Sequence, residues 1–182
     1  MEDQNILVIS DTHGNSRLIS TLLTNYLKVV TTVVHLGDHA RDMVRFVRDK
    51  HVDDDLNKIE FHVVNGNTDP LIDIYEERVI EVAGKSIFIT HGHNYDVKSN
   101  LDRLIERAQE LHVDACLFGH THIPTLFTQN GILFLNPGSA TYPHPDTEKG
   151  YGLLRISEGP DGTGPVITGK LLPYKDPVGW EF

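Results

Sequence analysis

Five short apolar runs in this sequence share one property: each ends at side chains of the kind that bind metal ions. Asn5–Ser10 (NILVIS) is followed by Asp11-Thr12-His13, and Thr32–Leu36 (TVVHL) by Gly37-Asp38. Ile59–Val64 runs into Asn65-Gly66-Asn67, and Ser86–Thr90 (SIFIT) into His91-Gly92-His93. Ala115–Phe118 (ACLF) runs into Gly119-His120-Thr121-His122. Short β-branched runs with no polar alternation read as buried strands. A fold built from them must bring their ends, and the ligands placed there, to definite positions.

The segments between the runs have helical period. Ser16–Leu27 places Leu18, Ile19, Leu22, Leu23, Tyr26 and Leu27 on one face. Arg41–Lys50 turns Met43, Val44 and Val47 inward, and Leu101, Leu104, Ile105, Ala108 and Leu111 form another stripe. Arg78–Val82 and Ser86–Thr90 flank Ala83-Gly84-Lys85 as a hairpin, and Asn130-Gly131 joins Leu126–Gln129 to Ile132–Leu135 as a second. Tyr151–Ile156 and Val166–Leu172 are separated by a Gly- and Pro-rich loop. Strand–helix alternation followed by hairpins predicts an α/β fold with two sheets and helices outside, a layered sandwich instead of a simple Rossmann domain. At 182 residues the chain is expected to form one domain spanning residues 1–182.

In α/β sheets, functional groups gather beyond the carboxyl ends of the strands. If these strands share a sheet or face one another across two, Asp11, His13, Asp38, Asn67, His91, His120 and His122 converge. Residues two apart in extended chain point the same way, so Asp11/His13 and His120/His122 are each expected to present two ligands to one side. The glycines before Asp38, Asn67 and His120 are expected to allow tight turns there. Oxygen and imidazole donors without thiolate suit Mn²⁺, Fe²⁺, Zn²⁺, Ni²⁺ or Co²⁺. Seven side chains exceed what one catalytic ion takes, so two divalent ions sharing a carboxylate use the set better. Such a pair would leave a locally positive crevice, suited to a phosphate ester.

Composition narrows the partners. Lys plus Arg is 16 against 26 for Asp plus Glu, a net charge of −10, which opposes binding to long nucleic acid or an anionic membrane. The single cysteine, Cys116, lies in an apolar run and reads as a small buried hydrophobe. The acidic start and the lack of any apolar run near ~20 residues argue against an export signal or a membrane span and favour the cytoplasm.

The ordered blocks D-x-H, GD, GN, a lone His and G-H-x-H, spanning residues 11 to 122, resemble the calcineurin-like metallophosphoesterase superfamily. Asn67-Thr68-Asp69, His91-Gly92-His93 and Asn136-Pro137-Gly138-Ser139 resemble its small YfcE-type phosphodiesterase branch. The resemblance implies a four-layer αββα sandwich, two facing mixed β-sheets flanked by helices. It implies one metal held by Asp11, His13, Asp38 and His122, and another by Asp38, Asn67, His91 and His120. Mn²⁺ is favoured at both, and a bridging hydroxide would attack phosphorus in line. Many members carry a His directly after the GN asparagine as the acid for the leaving group; here that position is Thr68. His93 is the first candidate to touch the phosphate or supply the proton, and His39 the second. The candidate catalytic residues are therefore His93, Asn67 and Asp38.

Around this set, Asp69 is either a partner that orients a ligating histidine or a turn residue before Pro70. Asn94 and Tyr95 either line the substrate entrance or serve local packing. Asn136–Ser139 reads as a tight turn, either bringing backbone amides near the site or purely structural. His35 and His62 read as packed and hydrogen-bonded; His51, His112 and His144 read as surface or loop residues, and Asp53-Asp54-Asp55 as a solvated turn. Leu171, Leu172 and Trp180 either form a self-association or docking patch, making a homo-oligomer, or pin the C-terminal tail. The leading function is a phosphodiesterase on a small phosphate ester, followed by a phosphomonoesterase on the same site. A nuclease lacks a basic stripe to hold a long strand. A non-catalytic protein-binding scaffold would be expected to have lost ligands, and none of the seven is replaced.

Overall fold

Strands that are apolar on both faces are stable only where both faces are covered. The computed structural model, which describes residues 2–49, 56–69 and 74–175, covers them with two five-stranded mixed sheets packed face to face. Strands β1 (Gln4–Ile9), β2 (Thr32–His35) and β3 (Glu60–Val63) run parallel. β4 (Glu77–Val82) pairs antiparallel with β5 (Lys85–Thr90), which runs parallel to β6 (Ala115–Leu117). β7 (Thr125–Gln129) and β8 (Ile132–Asn136) form a hairpin, as do β9 (Gly150–Glu158) and β10 (Pro165–Pro173). The orders are β10-β9-β1-β2-β3 and β4-β5-β6-β8-β7, so each sheet has three parallel strands and antiparallel partners at its margins.

Side-chain alternation divides the core into three layers. Ile6, Val8, Val34, Ile87, Ile89, Leu117 and Leu154 point between the sheets. Leu7, Ile9 and Val33 point the other way, against Leu18, Ile19, Leu22 and Leu23 of α1 (Ser16–Tyr26) and Met43 of α2 (Ala40–Asp49). Phe88, Cys116 and Phe134 meet Leu104 and Ala108 of α3 (Asp102–Glu110) on the far side. The result is the four-layer α/β sandwich, with each fully buried Leu, Ile or Phe contributing roughly 1.5–3 kcal/mol.

Both hairpins expected from sequence form. Ala83-Gly84 and Asn130-Gly131 have positive φ at both central residues, as the tight hairpin turn requires, and Lys85 already belongs to β5. Leu171 packs against the inter-sheet layer and Leu172 is half-buried, which favours pinning over an exposed patch at these two positions. Trp180, His51 and Asp53–Asp55 lie outside the described residues. Among the described residues no helix is long and apolar enough to cross a membrane.

Cys116, on β6, is fully buried against α3, and burial pushes its thiol far above the ordinary range. The folded chain is expected to resist a thiol reagent at roughly pH 8 and to react fully in denaturant; equal labelling rates in the two states would contradict this packing.

Candidate metal centre

The parallel pairing of β1, β2 and β3 continues past the strand ends as a hydrogen-bond ladder. Leu36 N–H donates to the Ile9 carbonyl at 2.9 Å, Asp11 N–H to Gly37 at 3.0 Å, and Val64 N–H to His35 at 3.1 Å. In the other sheet Gly119 N–H donates to the His91 carbonyl at 3.1 Å. The ligand-bearing segments are therefore extensions of rigid sheet.

Two groups result. In the first, Asp11, His13, Asp38 and His122 each bring one donor atom within 4.8 Å of all the others. His122 Nε2 lies 3.0 Å from Asp11 Oδ1 and 3.4 Å from His13 Nε2. In the second, His91 Nε2 lies 3.2 Å from Asn67 Oδ1, 3.2 Å from His120 Nδ1 and 3.4 Å from Asp38 Oδ1. Asp38 belongs to both, its Oδ2 standing 4.0 Å from His13 Nε2. His93 lies beside the second group, its ring centroid 5.4 Å from that of His91, and His39 beside the first, 5.6 Å from His13.

The tautomers are set from outside. His91 Nδ1–H donates to the Leu36 carbonyl at 2.7 Å and His122 Nδ1–H to the Tyr142 carbonyl at 2.5 Å, leaving both Nε2 lone pairs directed inward. Ring nitrogens then face each other at hydrogen-bond distance, and Asp11 Oδ1 is buried with no hydrogen-bond donor. Converging lone pairs and an orphaned carboxylate oxygen fit cations. Burial lowers the His13 pKa, and burial with His91 nearby lowers that of His120 to about 4, so both rings are ready as neutral ligands. Burial alone would raise the Asp11 carboxyl, but the adjacent His122 ring, the His91 charge and the Ser10 hydroxyl together hold it below its usual value. The adjacent Asp11 carboxylate raises His122 in turn.

The structure corrects how the ligands converge. Asp11, His13, Asp38, His120 and His122 all have φ between 45° and 68°, the left-handed region, so strand alternation does not aim them. His120 and His122 consequently enter different groups. Of the three glycines only Gly37 has positive φ, at 95°. Gly66 and Gly119 serve close approach: a Cβ on Gly66 would sit 2.3 Å from Asp38 Oδ1, and one on Gly119 2.1 Å from Ser10 Oγ.

Asp69 accepts from Ala40 N–H and Gly66 N–H, both at 2.9 Å, tying the start of α2 to the Asn67 loop instead of orienting a histidine. Asn94 bonds Glu76 and Tyr95 bonds Glu77 while packing on Phe88, so neither lines the pocket beside the site. Asn136–Ser139 works through side chains, not amides: Asn136 Nδ2 donates to the Gly119 carbonyl and Ser139 Oγ to the Asp11 carbonyl, both at 2.8 Å. Thr68 lends its backbone N–H to Asp38 Oδ1 at 3.0 Å. His35 is packed as expected, with Nε2 3.0 Å from Thr12 Oγ1 and burial lowering its pKa to about 4. Sequence reasoning missed Ser10, whose hydroxyl donates to Asp11 Oδ2 at 2.5 Å, and Lys98 and Tyr142 at the pocket. A polar residue closing an apolar strand just before a ligand was the available signal for Ser10.

An α/β sandwich that collects carboxylates and imidazoles at its strand ends has the form of a metal-dependent phosphoesterase. The sequence matches the calcineurin-like phosphoesterase superfamily domain over residues 5–159, and the chain belongs to that superfamily. It is 30% identical to the probable metallophosphoesterase YsnB of Bacillus subtilis over 152 residues, 84% of each chain. A Streptococcus pneumoniae structure described as a predicted phosphoesterase shares 32% identity and a TM-score of 0.75, covering 95% of this chain and 91% of that one. Vps29 of Entamoeba histolytica, solved in complex with Zn²⁺, shares 25% identity and a TM-score of 0.63, covering 93% and 98%.

Because a Cβ at 119 would displace Ser10 and lie 2.9 Å from Asp11 Oδ2, Gly119→Ala is expected to weaken divalent-metal binding about 10–100-fold. Titration calorimetry of the folded variant measures this, and an unchanged affinity would show that Asp11 is not held in this way.

Proposed function

We propose that this chain is a metal-dependent phosphodiesterase with a binuclear centre, acting on a small phosphate ester in the cytoplasm. The observation that carries the reading is Asp38, whose two oxygens face separate donor groups: Oδ1 toward His91, Oδ2 toward His13. In this reading Asp11, His13, Asp38 and His122 hold one ion and Asp38, Asn67, His91 and His120 the other. Two divalent ions, Mn²⁺ being favoured by the oxygen-rich set, would supply Lewis acidity toward a phosphoryl oxygen and acidify water.

The chain's own residues supply the rest. Leu36 and Tyr142 carbonyls fix two ligating rings, and Thr68 N–H fixes Asp38. His93 has a buried, unpartnered Nδ1 next to the second group, which supports a proton-carrying role toward the reacting phosphate. Arg41, Arg45 and Arg48 align on the exposed face of α2, but they span only about 10 Å, too short a track for a long nucleic-acid strand. The single buried thiol suits a reducing compartment.

Metal-stripped protein given Mn²⁺ is expected to hydrolyse bis-p-nitrophenyl phosphate faster than p-nitrophenyl phosphate, with activity lost on chelation and in Asp38→Ala. Faster monoester turnover would make it a phosphomonoesterase, and no turnover by folded, metal-loaded protein would favour the binding scaffold. His93→Ala is expected to slow alkyl diesters more than nitrophenyl diesters. Burial, then His91, holds His93 below its ordinary value of 6.5, so its donor form, and the alkyl-diester rate that depends on it, should decline as pH rises through that lowered pKa. Equal slowing of both leaving groups would remove the acid role.

A further inference from the structure

Beside the candidate centre lies an open pocket of about 580 Å³ that shares His120 and His122 with it. The rest of its wall is mainly apolar, with Val97, Ile123, Tyr142, Pro143 and Pro145 joined by Thr121 and His144, and Lys98 at one side. Tyr142 is 61% exposed and Ile123 40% exposed, so apolar surface faces solvent next to a cluster of ligands. Yet Tyr142 is not loose. Its N–H donates to Ser139 Oγ at 2.9 Å, its carbonyl accepts from His122, and its ring centroid is 5.3 Å from that of His13. Prolines at 143 and 145 restrict the chain that follows. A rigid, exposed aromatic ring costs little entropy when a second ring stacks on it. Among the described residues Lys98 makes no ion pair, and its charge is felt at both His120 and His122. The pocket thus combines a flat apolar wall with one unneutralised cation at the mouth of the site.

We propose that this pocket receives an aromatic ester arm of the substrate, with the ring laid on Tyr142 and the phosphoryl charge drawn toward Lys98. The assignment deepens the phosphoesterase reading and rests on it: the aromatic wall selects the organic group, while the ligand cluster meets the phosphoryl group. A purely alkyl ester forgoes the stacking contact, so discrimination lies in binding the arm.

Phenylphosphonate and methylphosphonate separate the two contributions, because neither P–C bond is hydrolysed by a phosphoesterase. Calorimetric titration of the metal-loaded full chain is expected to show phenylphosphonate binding about fivefold tighter, the scale of one aromatic pair. Tyr142→Ala should erase that preference, Tyr142→Phe should keep it, and Lys98→Gln should weaken both ligands alike. Equal affinities in the parent chain, a preference that survives Tyr142→Ala, or no binding of either ligand would each overturn the proposal. Turnover of bis-p-nitrophenyl phosphate by the same sample keeps the outcomes distinguishable. Turnover without phenyl preference would remove the pocket and keep the enzyme, and preference without turnover would support the pocket and remove the enzyme.

Discussion

A carboxylate with no solvent exposure must be compensated by its surroundings, and Asp11, 0% exposed, dictates much of what lies around it. Ser10 Oγ and His120 N–H donate to Oδ2, and His122 approaches Oδ1 from the other side. Those partners come from the residue that follows β1 and from the segment after β6, so the two sheets must meet at this edge. The inter-sheet layer of Ile6, Val8, Leu117 and Leu154 sets their spacing, and Asp11 is tolerable only in that arrangement. Even so, Oδ1 has no hydrogen-bond donor, which is the electrostatic deficit that a cation would fill.

The backbone around Asp11 is held under strain. Left-handed φ at non-glycine residues costs on the order of 1–3 kcal/mol each, and Asp11, His13, Asp38, His39, His120 and His122 all adopt it. Such a concentration persists only where neighbouring contacts over-determine it. The ties are specific: Ser139 and Thr141 hold the carbonyls of Asp11 and Thr12, Asn136 holds that of Gly119, and Asp69 holds the amides of Ala40 and Gly66. These residues never point at the centre, but they turn strained loops into fixed ones. Rigid sheet beneath and side-chain ties above are the means by which the apex of a sandwich becomes a preorganised site.

Much of this was legible from residue types alone. Strand ends repeated the same ligand chemistry five times, and the apolar periods located each strand and α-helix of the described residues within a residue or two, most plainly for β1, β2, β5 and β6, which are largely buried on both faces. What stayed hidden depends on three-dimensional proximity. Nothing local distinguishes Gly66, which avoids Asp38, from a turn glycine such as Gly37. Asp69 reads like any residue before a proline, and only the fold brings Ala40 within reach of it. Alternation failed as a guide for His120 and His122 because it assumes extended chain, and these residues have already left it. Tyr142 carried no pattern at all, since an exposed aromatic ring in a loop becomes informative only once His13 and His122 stand beside it.

The charge of the chain sharpens the point about selectivity. An overall −10 repels anionic esters at long range, so attraction has to be local and close to the reacting group. In the proposed reading two carboxylates set among imidazoles would be outweighed by two divalent ions, with Lys98 extending the positive region into the adjoining pocket. At physiological salt such a field decays within about 8 Å, which matches one phosphoryl group and its immediate substituents. Polymer recognition needs many phosphate contacts in register, whereas the proposed arrangement offers one electrostatic anchor and one apolar wall. In the proposed reading the occupant of the site is selected by a single charge and the shape of what is attached to it.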